Sequence, residues 1–414
     1  MSDAPEPLKR DIGFWGSAFL SFNGLVGAAI FVLPGTLHDR FGNFSPLLFP
    51  IFGLLALPIV LPFARVASHF GRSGGPVAYA GTLGPFAAFQ AGWIYYIARA
   101  AAFAANLNVL CTYLAALVPA LGGAVMRAAI ILIATAGIAA INIAGVRRAV
   151  RLLDLLTLLK AAPLLVFALV GLAVFGLPPL PTATPPEGEL GAAALLILYA
   201  FVGFENSTVT SGETADARRT VPRALVITVI ATALLYAIVQ AAYATAMTPG
   251  EGGEAPMVAF GTRLFGPTGG LILSLAAVAS LLGNVSGGIT ATARTTYAMA
   301  RDRLMPGWFG QVSPRWATPV PSILVLSGLV GLLAISGSFV LLAVVSTLAR
   351  MFVYGLSIAA LPKLERGRGW VVAALLAIGL CVAGATQSSW DAWRVLLILA
   401  GSGLVLFVIA RRAR

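Results

Sequence analysis

Residues 24–35 read GLVGAAIFVLPG and sit inside an apolar run from about Ile12 to Leu37. About 20 apolar residues span the hydrocarbon core of a bilayer as a helix, yet Gly24 and Gly27 fall near the middle of this run. A helix weakened at that depth leaves backbone N–H and C=O groups unpaired, which is costly in lipid. Interrupted helices persist only where protein or a watery cavity takes up those bonds, so the stretch is a candidate binding site. Its counterpart lies at residues 199–207, YAFVGFENS, where Gly203, Glu205 and Asn206 interrupt a second apolar helix. Two interrupted helices in matching halves of a chain point to the site of a secondary transporter.

The rest of the composition agrees. The chain has 414 residues, 59% of them hydrophobic and 10% charged, with a mean hydropathy of +0.93, far more apolar surface than one soluble domain buries. The expected class is an all-α polytopic membrane protein embedded in a lipid bilayer. A net charge of +12 raises nucleic acid as a partner, but the basic residues lie in small clusters between apolar runs and read as topology signals. Two cysteines, Cys111 and Cys381, and two histidines, His38 and His69, supply no zinc or haem ligand set, so no metal or cofactor is expected. The first apolar run is too long for a signal peptide and is expected to remain as helix 1.

Hydropathy windows give twelve spans, roughly 13–37, 46–69, 85–118, 126–146, 152–177, 191–212, 223–247, 268–299, 320–335, 338–362, 370–386 and 391–410. Nineteen Lys and Arg fall on the side of the termini, in clusters such as Arg147, Arg148 and Arg151, or Arg218, Arg219 and Arg223. The opposite side carries four: Arg40, Arg127, Arg263 and Arg394. The positive-inside rule therefore places both termini in the cytoplasm, and the C-terminal RRAR reads as an anchor at the headgroups. The opposite loops, such as PPLPTATPPEGE (178–189) and TPGEGGEAP (248–256), are acidic and rich in Pro and Gly, as solvated turns are. Pro46, Pro50, Pro58 and Pro62 within helix 2 would be costly in a soluble helix but are tolerated in a bundle, where a bend is one outcome, and the Ala- and Gly-rich helices 3 and 8 suit close packing.

Four segments together resemble the amino acid–polyamine–organocation permeases. GLVGAAIFVLPG resembles that superfamily's helix 1, and RSGGPVAYAGTLGPFAAFQAGW (72–93) its helix 2 to 3 connection. AFVGFENSTVTSGETADARRTVPRA (200–224) is similar to its helix 6 and the following loop, and YAMARDRLMPGWFGQVSPRWATPVPS (297–322) to the stretch after helix 8. The resemblance implies a leucine-transporter-like fold of two inverted five-helix repeats with discontinuous helices 1 and 6. The division would be a cytoplasmic tail at 1–12, repeat 1 at 13–178, repeat 2 at 191–362, and helices 11 and 12 at 363–414. It also implies a plasma (inner) membrane location. Ala29 departs from the pattern: it stands where the superfamily has the third glycine of helix 1, which narrows or shifts the seat for a substrate carboxylate.

Individual residues follow. Leu25, Val26, Gly27 and Ala28 would offer freed N–H groups at the positive end of a half-helix, the seat for a carboxylate; a small-residue packing motif is the alternative. Phe201, Val202, Gly203 and Phe204 would expose carbonyls to a substrate ammonium. Tyr199 matches a gating aromatic of the superfamily, or packs in the bundle. Glu205, an ionisable group beside a helix break, either carries a coupling proton or braces the unwound segment by bonding backbone N–H groups. Glu213 is expected as a gate or loop anchor with Arg218 or Arg219. Lys160 in helix 5 pairs, snorkels or gives up its proton. It matches the lysine that, in proton-coupled relatives, puts its amine where sodium-driven relatives bind an ion, which implies a sodium-independent transporter. Arg99 and Arg350 are expected to point inward and pair with carboxylates or helix ends, as substrate partner, gate or structural bridge.

The expected function is secondary transport of an amino acid or related amine by alternating access, with a proton or by exchange. A neutral amino acid is preferred, because only Glu205 lies near the breaks to meet a distal cation. A cationic amino acid or polyamine antiporter stays open. An intramembrane enzyme is disfavoured, since the acidic residues are scattered and no DxxD, HExxH or GxxxxGK[ST] pattern occurs.

Overall fold

The computed structural model describes residues 10–71, 73–144, 162–181, 184–185 and 188–412, and within them the regular structure is helical. Eight of the helices are long and apolar enough to cross a membrane, and the shorter apolar helices Ala162–Phe175, Glu189–Tyr199 and Val320–Ser336 accompany them. The first apolar run forms two helices, α1 (Phe14–Leu25) and α2 (Ala29–Phe41). Next come α3 (Ser45–Ala67), the short α4 (Pro76–Ala80), α5 (Pro85–Leu117) and α6 (Ala124–Ile143), then α7 (Ala162–Phe175). The second interrupted run gives α8 (Glu189–Tyr199) and one turn, α9 (Asn206–Val209). The remainder is α10 (Ala217–Ala246), α11 (Pro256–Arg301), α12 (Val320–Ser336), α13 (Phe339–Ile358), α14 (Leu361–Leu364), α15 (Arg368–Thr386) and α16 (Trp390–Arg412).

Burial sorts these elements by role. Helix α5 is the central post, with α11 and α13 packed along it, while α10 covers α1 and α3. Its middle turns, Tyr95 to Cys111, are buried throughout, because Ala and Gly at the contacts let neighbouring backbones approach closely. Helices α6, α15 and α16 instead expose apolar side chains such as Ile133, Leu375 and Ile398, as helices facing lipid do.

Helix α3 runs unbroken through Pro50, Pro58 and Pro62, which a bundle tolerates. Helix α11 contains a sharp corner at Phe265 and Gly266, where Gly266 adopts φ +61° just ahead of Pro267. Proline disfavours the helical conformation for the residue before it, and glycine tolerates the turn that results here. At the start of the chain, Ile12 N–H donates to the Glu213 carbonyl at 3.0 Å, and Ala215 N–H returns a bond to the Ile12 carbonyl at 2.9 Å. This strap ties the beginning of α1 to the loop that follows α9.

Candidate functional site

The helix interruptions meet. Gly24 at the end of α1 lies against Gly203 in the 200–205 turn, so closely that a Cβ on Gly24 would collide with the Gly203 carbonyl oxygen and the Asn206 amide. A Cβ on Gly203 would in turn strike the Gly24 backbone, and Gly203 holds φ +111°, a conformation that side chains rarely adopt. Ser21 joins the two runs, donating to the Phe204 carbonyl at 2.7 Å and sharing a hydroxyl–hydroxyl hydrogen bond with Ser207 Oγ at 2.9 Å.

At the first break, side chains from neighbouring helices take up most of the freed backbone groups. Ala28 N–H donates to Asn106 Oδ1 of α5 at 3.0 Å. Asn106 Nδ2 donates to Asn284 Oδ1 of α11 at 2.8 Å, and Asn284 Nδ2 to the Asn23 carbonyl of α1 at 2.6 Å. This amide relay reconnects α1 and α2 through two other helices. Tyr236 of α10 donates to the Leu25 carbonyl at 3.0 Å, and Tyr113 of α5 to the Phe31 carbonyl at 2.6 Å. The N–H groups of Ala29 and Ile30 meet no acceptor among the described residues. They open α2, so its positive dipole end is available to an anion.

The second break is held by a buried ion pair. Glu205 is fully buried; it accepts from Gly203 N–H at 3.0 Å, from Arg350 Nε of α13 at 3.0 Å and from Tyr354 OH at 2.7 Å. Arg350 also donates to Ser346 Oγ and is 1% exposed. No donor reaches the carbonyl oxygens of Phe201 and Val202 among the described residues, leaving acceptors on this side of the junction.

A small cavity of about 20 Å³, room for about one water molecule, lies where the breaks meet. Of the sequence candidates, Leu25, Gly27, Ala29, Tyr199, Val202, Arg99 and Arg350 line it. Val26 and Ala28 are buried beside it. Phe201 instead turns toward Phe49, and Phe204 stacks at a tilt on Tyr354. Tyr199 meets Phe339 edge to face, with ring centroids 5.9 Å apart. Gly24, which marked the first interruption, also lines it, and Ala102, Asn106 and Asn284, not singled out in the sequence, complete the lining. For the asparagines the signal was present: an amide inside an apolar helix needs an interhelical partner.

One pairing corrects the sequence reading. Glu213 pairs with Arg294 of α11 at 3.8 Å, whereas Arg219 reaches Asp216 at 3.9 Å; the long α11 brings a distant cation nearer than those adjacent in the chain. Arg99 has no carboxylate within 4.0 Å among the described residues. It bonds Asn206 Oδ1 at 2.8 Å and Thr292 Oγ1 at 3.4 Å, with its guanidinium 4.7 Å from the Phe103 ring centroid. Lys160 lies outside the described residues. No group of three His, Cys, Asp or Glu side chains capable of holding a metal occurs among those described.

Comparison with known proteins bears on the same span. An uncharacterized transporter of Mycobacterium tuberculosis is 28% identical over 348 residues, covering 80% of this chain and 75% of its own. The human Asc-type amino acid transporter 1 is 26% identical over 374 residues, covering 85% of this chain and 70% of its own. The mouse large neutral amino acids transporter small subunit 2 is 26% identical over 375 residues, with the same two shares. The sequence profile of one family, described as amino acid permease, matches residues 12–410. With nearly its whole length matched, its bundle of apolar helices and its two joined interruptions, the chain belongs to the amino acid permease family and is a multi-pass membrane transporter of the amino acid–polyamine–organocation type, not an enzyme.

Proposed function

We propose that this permease carries a neutral amino acid by alternating access, coupled to a proton or running as an exchanger, without sodium. The observation that carries this reading is the junction of the two breaks, with the Ala29 N–H at the start of α2 on one wall of the cavity and the Val202 carbonyl on the other, neither bonded among the described residues. That pairing complements the carboxylate and ammonium of a zwitterion. A cationic or polyamine substrate would need a spare carboxylate, and Glu205 is already committed to Arg350, Tyr354 and Gly203. The same commitment favours Glu205 as the brace of the second break and leaves proton coupling to Lys160. The name of the mouse relative, a large neutral amino acids transporter subunit, points toward neutral substrates as well.

The architecture that goes with this reading has twelve spans, with residues 13–178 and 191–362 as inverted repeats, α1/α2 and α8/α9 as the discontinuous pair, and both termini cytoplasmic in the plasma membrane. The test is uptake of radiolabelled alanine, serine and leucine into proteoliposomes holding the purified protein. A proton gradient, a sodium gradient or internal unlabelled amino acid is imposed separately. Accumulation or exchange without sodium is expected; strict sodium dependence would refute the coupling, and no transport of any amino acid would refute the substrate class.

A further inference from the structure

We infer that Arg99 holds the carboxylate of the transported amino acid. The inference rests on the amino acid reading above and deepens it, because the site would then anchor its substrate by a side-chain cation as well as by a helix end.

Four observations on the cavity lead there. Its lining includes two arginines, and the described carboxylate beside them, Glu205, is bonded to Arg350. That leaves Arg99, 2% exposed, as a buried cation answered by an amide, a hydroxyl and the face of a phenyl ring. A buried charge demands a counter-charge or a dense set of hydrogen bonds. Guanidinium has five N–H donors; Nε and one on Nη1 are engaged, and the rest reach no acceptor among the described residues.

The backbone seat for an anion is also partly taken. Asn106 Oδ1 occupies the Ala28 N–H, and Ala29 puts a methyl group at the start of α2, on the cavity wall. What remains there is a reduced donor set, and among the described residues that line the cavity the cation without a carboxylate is Arg99 on α5. Its planar fork suits a carboxylate. Nη1 is already fixed by Asn206, the first residue of α9. A carboxylate held by Arg99 is therefore tied to both breaks, to α2 through Ala29 on the same cavity wall and to the second break through Asn206.

The experiment compares the amino acid with its carboxamide. In proteoliposomes, exchange of radiolabelled leucine, or of alanine if it is the better substrate, is inhibited by the unlabelled amino acid and by its amide. The wild-type protein is expected to prefer the amino acid by about 10- to 100-fold, the range for a charge-assisted hydrogen bond to a buried partner. In Arg99→Gln that preference should collapse to within about threefold, with KM for the amino acid raised by the same factor. If Arg99 only positions Asn206, the variant will weaken amino acid and amide alike and keep the wild-type ratio, which would overturn the inference. Arg99→Lys keeps the charge without the fork and covers the case in which the glutamine variant does not fold. Its ratio should fall about tenfold, and an unchanged ratio there is again a refutation. Failure of the wild-type protein to exchange any amino acid would sink the transport reading itself, a separate result.

Discussion

Replacing Glu205 by glutamine should destabilise this permease more than any other single change of charge. The carboxylate accepts three hydrogen bonds, one each from the Gly203 backbone, Arg350 and Tyr354, and both partners of the ion pair are 1% exposed or less. Glutamine has one acceptor oxygen and carries no charge, so the Arg350 guanidinium stays buried with no counter-charge. Removing one partner of such a pair costs about 3–5 kcal/mol. The measurement is equilibrium unfolding in mixed micelles of Glu205→Gln, Arg350→Met and the double variant. The double variant should be more stable than Glu205→Gln alone, since it no longer buries an unpaired cation, and the coupling should exceed about 2 kcal/mol. A cycle that adds within about 0.5 kcal/mol would refute the brace. The pH profile of whatever exchange survives in Glu205→Gln should keep its wild-type shape; a shifted profile would make the carboxylate a proton carrier instead.

Two further outcomes follow from the junction and from helix 5. Lys160→Ala should abolish proton-driven accumulation in proteoliposomes while exchange persists, and unchanged accumulation would remove the residue from coupling. Gly203→Ala should lose folded yield and exchange far more than Gly250→Ala. Both glycines have positive φ, which costs a side chain about 1–2 kcal/mol, but a methyl group at Gly203 also meets the Gly24 backbone whereas Gly250 faces open space. Equal effects would show that the close approach is unimportant.

The sequence by itself determined that the chain crosses a membrane and where two of its helices fail. Apolar runs have one physical solution in lipid, and Gly24, Gly27 and Gly203 inside such runs mark where that solution breaks down. It also marked Glu205, Arg99 and Arg350 as residues that need partners, because an ionisable group at that depth is costly wherever it points. It did not say which partners. Glu205 and Arg350 are 145 positions apart, and Glu213 prefers Arg294 of α11 to the arginines that follow it in the chain. Asn106 and Asn284 passed unremarked until they proved to bridge the first break, and the Phe204 carbonyl, expected to be exposed to a substrate, is taken up by Ser21 of α1. The common reason is that hydropathy specifies only where a residue sits along its helix. Which way it faces, and what meets it there, is set by the rotation and packing of neighbouring helices, and that information exists only once α5, α11 and α13 are assembled around the two interruptions.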